Sequence, residues 1–150
     1  MSNEVRTRTQ RRADTMARLE TDADIWVATA NDGVPHLVPL SFGWDGTRII
    51  LATPSHSPTA RNASAAGVVR LALGPTRDVT VFEAATDVVP CPQADADIAE
   101  SFRGRVGWDP RVEEIEHSFL VAVPQVAQAW RSVPELKGRT IMRDGRWLDA

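Results

Sequence analysis

The sequence predicts an α+β fold that is mostly β, an antiparallel barrel or sandwich of about seven strands with helices inserted between them. Three observations carry this. Apolar residues alternate with a period of two in several short segments, the spacing of half-buried strands. Asp-Gly pairs at Asp32-Gly33, Asp45-Gly46 and Asp144-Gly145 stand between such segments, where residues that tolerate positive φ close tight hairpins. The helical segments fall irregularly among the strands, whereas a doubly wound parallel sheet needs βαβ units throughout.

Residues 4–20 form the first element, a helix whose few apolar points, Val5, Met16 and Leu19, place it on the surface. Asp24–Ala30 is the first strand, alternating Ile25, Val27 and Thr29 with Trp26, Ala28 and Ala30. Beyond the Asn31-Asp32-Gly33 turn, His36–Trp44 sets Val38, Leu40, Phe42 and Trp44 on one face, and Thr47–Thr53 is the third strand. Pro39 lies inside the second strand. Proline donates nothing to a ladder, so this position is a sheet edge or a bulge. Backbone groups at Val38, Leu40 and Ser41 are then open to a planar heterocycle, or the proline simply guards the edge against aggregation.

A short helix follows, with Ser57 as its cap, Pro58 at its first position and Gly67 as its stop. Val68–Gly74 and Asp78–Val89 are the next strands, and Pro92–Arg103 is a second inserted helix. Ser118–Arg131 is a long strand interrupted at Pro124, and Thr140–Arg143 with Arg146–Leu148 closes the chain as a hairpin. No repeat or long linker divides it, so one domain is expected over residues 1–150, with residues 1–22 as a helical arm.

Composition narrows the function classes. A chain of 150 residues that is 43% hydrophobic and 25% charged supports a packed core and is not a disordered or disulfide-held scaffold. The single cysteine, Cys91, excludes an internal disulfide and a multi-thiolate metal site. His36, His56 and His117 are too widely spaced to suggest ligands, so no metal is expected. No apolar run approaches the ~20 residues of a membrane span, and a cytoplasmic protein is expected. A net charge of −3 argues against a general nucleic-acid binder. Arg6, Arg8, Arg11 and Arg12 nevertheless form a basic arm, either an anion contact or a solvated helix start. Lys137 is the only lysine among 17 basic residues, the usage of a GC-rich genome.

Phosphate-loop, dinucleotide-turn, HExxH and GxSxG signatures are absent. The most informative stretch is Ser55 to Asn62 (SHSPTARN), which opens a helix directly after a strand. Helix N-termini attract phosphate through unpaired N–H groups and a partial positive charge. Ser57 and Thr59 bring hydroxyls there, and Arg61 brings a guanidinium able to pair with phosphate oxygens. A plain cap at Ser57 and a solvent-facing Arg61 account for the same residues.

Taken in order, Ala28-Thr29, Gly33, Pro35-His36-Leu37-Val38-Pro39-Leu40, Trp44-Asp45-Gly46, Ala52-Thr53 and Ser57–Asn62 form a more specific pattern. It resembles the core of the pyridoxamine 5'-phosphate oxidase-like, flavin-binding split-barrel family, well over residues 24–89 and more loosely towards Trp130 and Trp147. The resemblance implies a homodimer of six- to seven-stranded antiparallel split barrels with inserted helices. FMN or the deazaflavin coenzyme F420 would lie in grooves at their interface. Its ring would run along Val38, Pro39, Leu40 and Ser41, and its phosphate would meet Ser57, Thr59, Ala60, Arg61 and Asn62, with Thr53 nearby.

An oxidoreductase passing hydride to a small organic substrate is implied, with the cofactor carrying the chemistry and no dedicated acid or base identified. Pro58 and Thr59 stand where many relatives carry basic residues, leaving Arg61 and backbone N–H groups to meet the phosphate. Arg77, Arg139 and Arg143 of the partner subunit are further candidates. The C-terminal arginine and tryptophan pattern of true pyridoxamine 5'-phosphate oxidases is not present, so a vitamin B6 phosphate is not the expected substrate. The alternative on the same fold is a non-catalytic carrier of a flavin, haem or tetrapyrrole. Trp26 and Trp44 are expected in the core or the groove, and Trp130 near the partner's site.

Overall fold

The computed structural model describes residues 4–149. Eight strands form one antiparallel sheet: β1 (Asp24–Asn31), β2 (Val34–Trp44), β3 (Ile49–Pro54), β4 (Val68–Leu73), β5 (Val79–Pro90), β6 (His117–Trp130), β7 (Thr140–Arg143) and β8 (Arg146–Trp147). The order is β3-β2-β1-β4-β5-β6-β7-β8, and an additional pairing of β3 with β6 closes the first six into a barrel. Closure decides between the barrel and sandwich readings. β7 and β8 extend the sheet beyond it, one strand more than the sequence suggested.

Two of the Asp-Gly hairpins have positive φ at both central residues, Asp32 (49°) with Gly33 (77°) and Asp144 (53°) with Gly145 (75°). That geometry matches the natural twist of paired strands. The third differs. The Asp45 carboxylate accepts from the backbone N–H groups of Thr47 (2.9 Å) and Arg48 (2.6 Å), which holds a four-residue loop and delays β3 to Ile49.

Inward-facing side chains of the barrel strands, among them Ile25, Val27, Phe42, Leu51, Leu71, Phe82 and Leu120, fill the interior and are essentially buried. Each such side chain contributes roughly 1.5–3 kcal/mol by leaving water. A second core lies on the outer side of β3 and β6, where α3 (Ala96–Val106) packs Ile98, Ala99 and Phe102 against Ile50, Ala52, Phe119 and Val121. This explains why β3 is buried on both faces and lacks alternation. The helix begins later than the sequence suggested, because Cys91–Gln93 forms a separate 3-10 turn and Ala94 is extended. It reaches the barrel at Gly43, where an added Cβ would lie 3.2 Å from the Cα of Phe102.

Pro124 does not end β6. Opposite Glu83 and Ala84 of β5 stand Val126 and Pro124, so the strand skips Gln125 as a bulge and continues to Trp130.

The first helix, α1 (Arg8–Thr21), opens with a reciprocal cap between Thr7 and Gln10. It is docked more deeply than its sparse apolar residues suggested, burying Arg11, Thr15 and Leu19. Arg105 of α3 donates to the carbonyls of Leu19 (2.9 Å) and Asp22 (2.6 Å), satisfying the helix C-terminus with a cation. Among the described residues, no helix is long and apolar enough to cross a membrane.

Candidate functional site

Between Val34 and Ser41, β2 pairs with β1 alone, and β3 joins its other side only at Phe42. Pro39, opposite Trp26, therefore stands on an edge left open within the chain. Val38 and Leu40 turn inward and pack against the barrel core, while Leu37, Pro39 and Ser41 are exposed. What Val38 and Leu40 offer a ligand is backbone, since their side chains belong to the core.

Across from this edge, α2 (Pro58–Ala66) begins. Ser57 Oγ accepts from the Ala60 N–H at 3.1 Å and from the Thr53 hydroxyl at 3.1 Å, which ties the end of β3 to the helix cap. Asn62 donates to Thr29 Oγ1 at 3.2 Å, fixing the first turn of α2 to β1. Thr59 and Ala60 are buried, so they support the turn and present little side-chain surface. Arg61 differs from all of these. It is exposed, and no ion pair or hydrogen bond holds its guanidinium among the described residues. Arg61, Asn62 and Pro58 line a cleft of about 380 Å³ with Asn31, Asp32, Val34, Pro35 and His36.

A second cleft, of about 410 Å³, joins Pro39, Leu40, Ser41 and Thr53 to Asp24, Ala52, Pro54, Phe102, Trp108 and His117. The ten sequence-predicted residues thus fall on two neighbouring elements, the β2 edge and the β3–α2 junction. Sequence reasoning missed the aromatic wall. Trp108 and Phe102 meet edge to face at 5.8 Å, and Trp108 meets His117 at 5.3 Å. His117 is brought there because it pairs with Pro54 at the end of β3, a register no local motif announces.

The remaining expectations resolve as follows. Trp26 is on the outer face and 47% exposed, so it belongs to the groove side and not to the core. Trp44 packs against the barrel core. Arg139 lies over the Trp130 ring at 5.9 Å and donates to the Leu136 carbonyl, whereas Arg77 and Arg143 are exposed. Two arginines of the basic arm turn inward. Arg6 pairs with the buried Glu135 at 2.8 Å, and Arg11 donates to the carbonyls of Ala129 (2.8 Å) and Glu135 (3.0 Å).

Fold and groove together define a split β-barrel of the pyridoxamine 5'-phosphate oxidase-like type. Solved structures share it at low sequence identity. An F420 reductase is 19% identical, with a TM-score of 0.60, covering 74% of this chain and 93% of its own. A Clostridium acetobutylicum protein related to general stress protein 26, of the pyridoxinephosphate oxidase family, is 10% identical with a TM-score of 0.63, covering 84% and 91%. A FAD-binding protein from Mesorhizobium loti is 14% identical with a TM-score of 0.61, covering 79% and 90%. No family model matches the sequence, and no curated protein matches it.

Proposed function

We propose that the chain is an oxidoreductase that holds a flavin-type cofactor, coenzyme F420 or FMN, and passes hydride to a small organic substrate. The observation that carries this is the unpaired Arg61 at the start of α2, facing a β2 edge open along Val34–Ser41. This donor set fits the group. A free guanidinium and a helix N-terminus suit a phosphate, and an unpaired strand edge suits the polar rim of a flat heterocycle. The chain's own residues bind and orient, while hydride chemistry is what such a cofactor supplies when bound. The names of similar structures, an F420 reductase and a FAD-binding protein among them, support the reading.

A homodimer is part of the proposal. The outward residues of β1 and β2 form an apolar face in which Trp26 is 47%, Leu37 60% and Val34 67% exposed. Large exposed apolar patches mark interaction surfaces. A second copy would cover this face and complete the groove.

The test is a fluorescence titration of the full-length protein with FMN and with F420, alongside Arg61→Ala. Binding of one cofactor, weakened roughly 10- to 100-fold in the variant, is expected for loss of a charge-assisted contact. Binding of neither would overturn the reading and turn the search towards tetrapyrroles.

A further inference from the structure

We infer that the cleft between the β2 edge and α3 takes a planar, aromatic substrate that presents hydrogen-bond donors and is neutral or cationic, and that it disfavours carboxylates and phosphates. The substrate role rests on the oxidoreductase reading above. The selectivity follows from where the hydrogens of the lining side chains are spent. Ser41 donates its hydroxyl to Asp24 Oδ1 at 3.0 Å, and Thr53 donates its own to Ser57 at 3.1 Å. Trp108 Nε1 donates to Glu113 Oε1 at 2.7 Å. His117 Nδ1 lies 2.8 Å from the Ile115 carbonyl oxygen. A carbonyl only accepts, so Nδ1 carries the proton, and in the neutral ring Nε2 is left as a lone-pair site.

Each polar side chain lining the cleft therefore has its donor committed, and what remains open on them is acceptors. Asp24 adds a carboxylate, and neither lysine nor arginine lines the space. The opposite wall is aromatic and fixed in place: Phe102 is buried, and the edge-to-face contacts with Trp108 and on to His117 set the orientation of the rings. A flat ring has a wall to pack on, and its N–H or O–H groups have acceptors to meet. An anion entering the same space meets Asp24 and finds no side-chain donor, an uncompensated desolvation. The cleft is thus opposite in character to the Arg61 end of the groove, and the two ends discriminate between ligands by charge.

The test pairs two probes of equal shape, benzamidine and benzoate, titrated by NMR into the full-length protein with and without bound cofactor. Benzamidine is expected to bind about tenfold tighter, the scale of one charge-assisted contact. Asp24→Asn and His117→Phe are expected to bring that ratio below about threefold when combined, since they remove the carboxylate charge and the lone-pair site. The phenylalanine keeps the ring against Trp108, and near-ultraviolet circular dichroism checks that both variants fold. Equal or tighter binding of benzoate, or a preference that survives both substitutions, would overturn the inference. Cofactor binding without probe preference sinks the role of the cleft alone. Probe preference without binding of FMN or F420 sinks the oxidoreductase reading and the substrate role with it.

Discussion

Two side chains show how differently charge is used in this molecule. Glu135 is 2% exposed and accepts from the Arg6 side chain at 2.8 Å and 3.1 Å, and from the backbone N–H groups of Arg6 and Arg131, both at 2.8 Å. The Arg6 hydrogen bonds, first of all, hold its carboxyl down at about 2, against an ordinary 4.5. A carboxylate depressed in the folded state stabilises the protein fully above its unfolded-chain value, and the contribution fades as pH falls towards the folded value. The melting temperature is therefore expected to fall steeply between pH ~5 and ~2, and the fall should be shallower in Glu135→Gln. At neutral pH that variant leaves Arg6 buried without its counter-charge and should cost roughly 3–5 kcal/mol in urea unfolding. Arg61 is the contrast. Being exposed and unpaired, it should cost under ~0.5 kcal/mol when replaced by alanine while cofactor binding drops.

Among the elements, the β3–α2 junction is where sequence and site coincide. Ser57 caps α2 and receives the Thr53 hydroxyl, so Ser57→Ala removes an N-cap and is expected to cost ~1 kcal/mol by chemical denaturation. The same change should weaken cofactor binding, because the helix start it orders is where the phosphate would sit. This junction was legible from Ser57, Pro58 and Gly67 alone, since caps and stops are local backbone chemistry. The open edge at Pro39 was legible for the same reason, because a missing N–H is a property of one residue. The later start of α3 was not, since Pro92 suits a first helical position equally well in the 3-10 turn it occupies. The docking of α1 was missed because its buried anchors include Arg11 and Thr15, polar residues whose partners lie far along the chain.

At the scale of the whole molecule, the outward face of β1 and β2 carries the next prediction. Sedimentation should give about twice the 16.4 kDa of one chain. Leu37→Glu, at 60% exposure, should shift the protein to monomer without unfolding it, because a charge on that face is solvated in one chain and desolvated in two. A monomeric variant that still binds cofactor with unchanged affinity would show that the groove is complete within one subunit.

The sequence by itself determined the elements, the hairpins and the antiparallel class, because turns, caps and alternation depend on neighbours a few residues away. It also marked the β2 edge and the α2 start as the place where a ligand fits. The tertiary structure alone decided that the sheet closes, through the β3–β6 pairing, and that α3 covers one side of it. It also decided that Asp24, Trp108 and His117 share a cleft with Ser41 and Thr53, although up to 93 positions separate them. Long-range register follows from how the two cores fill, and that is a property of the packed whole that no local pattern carries.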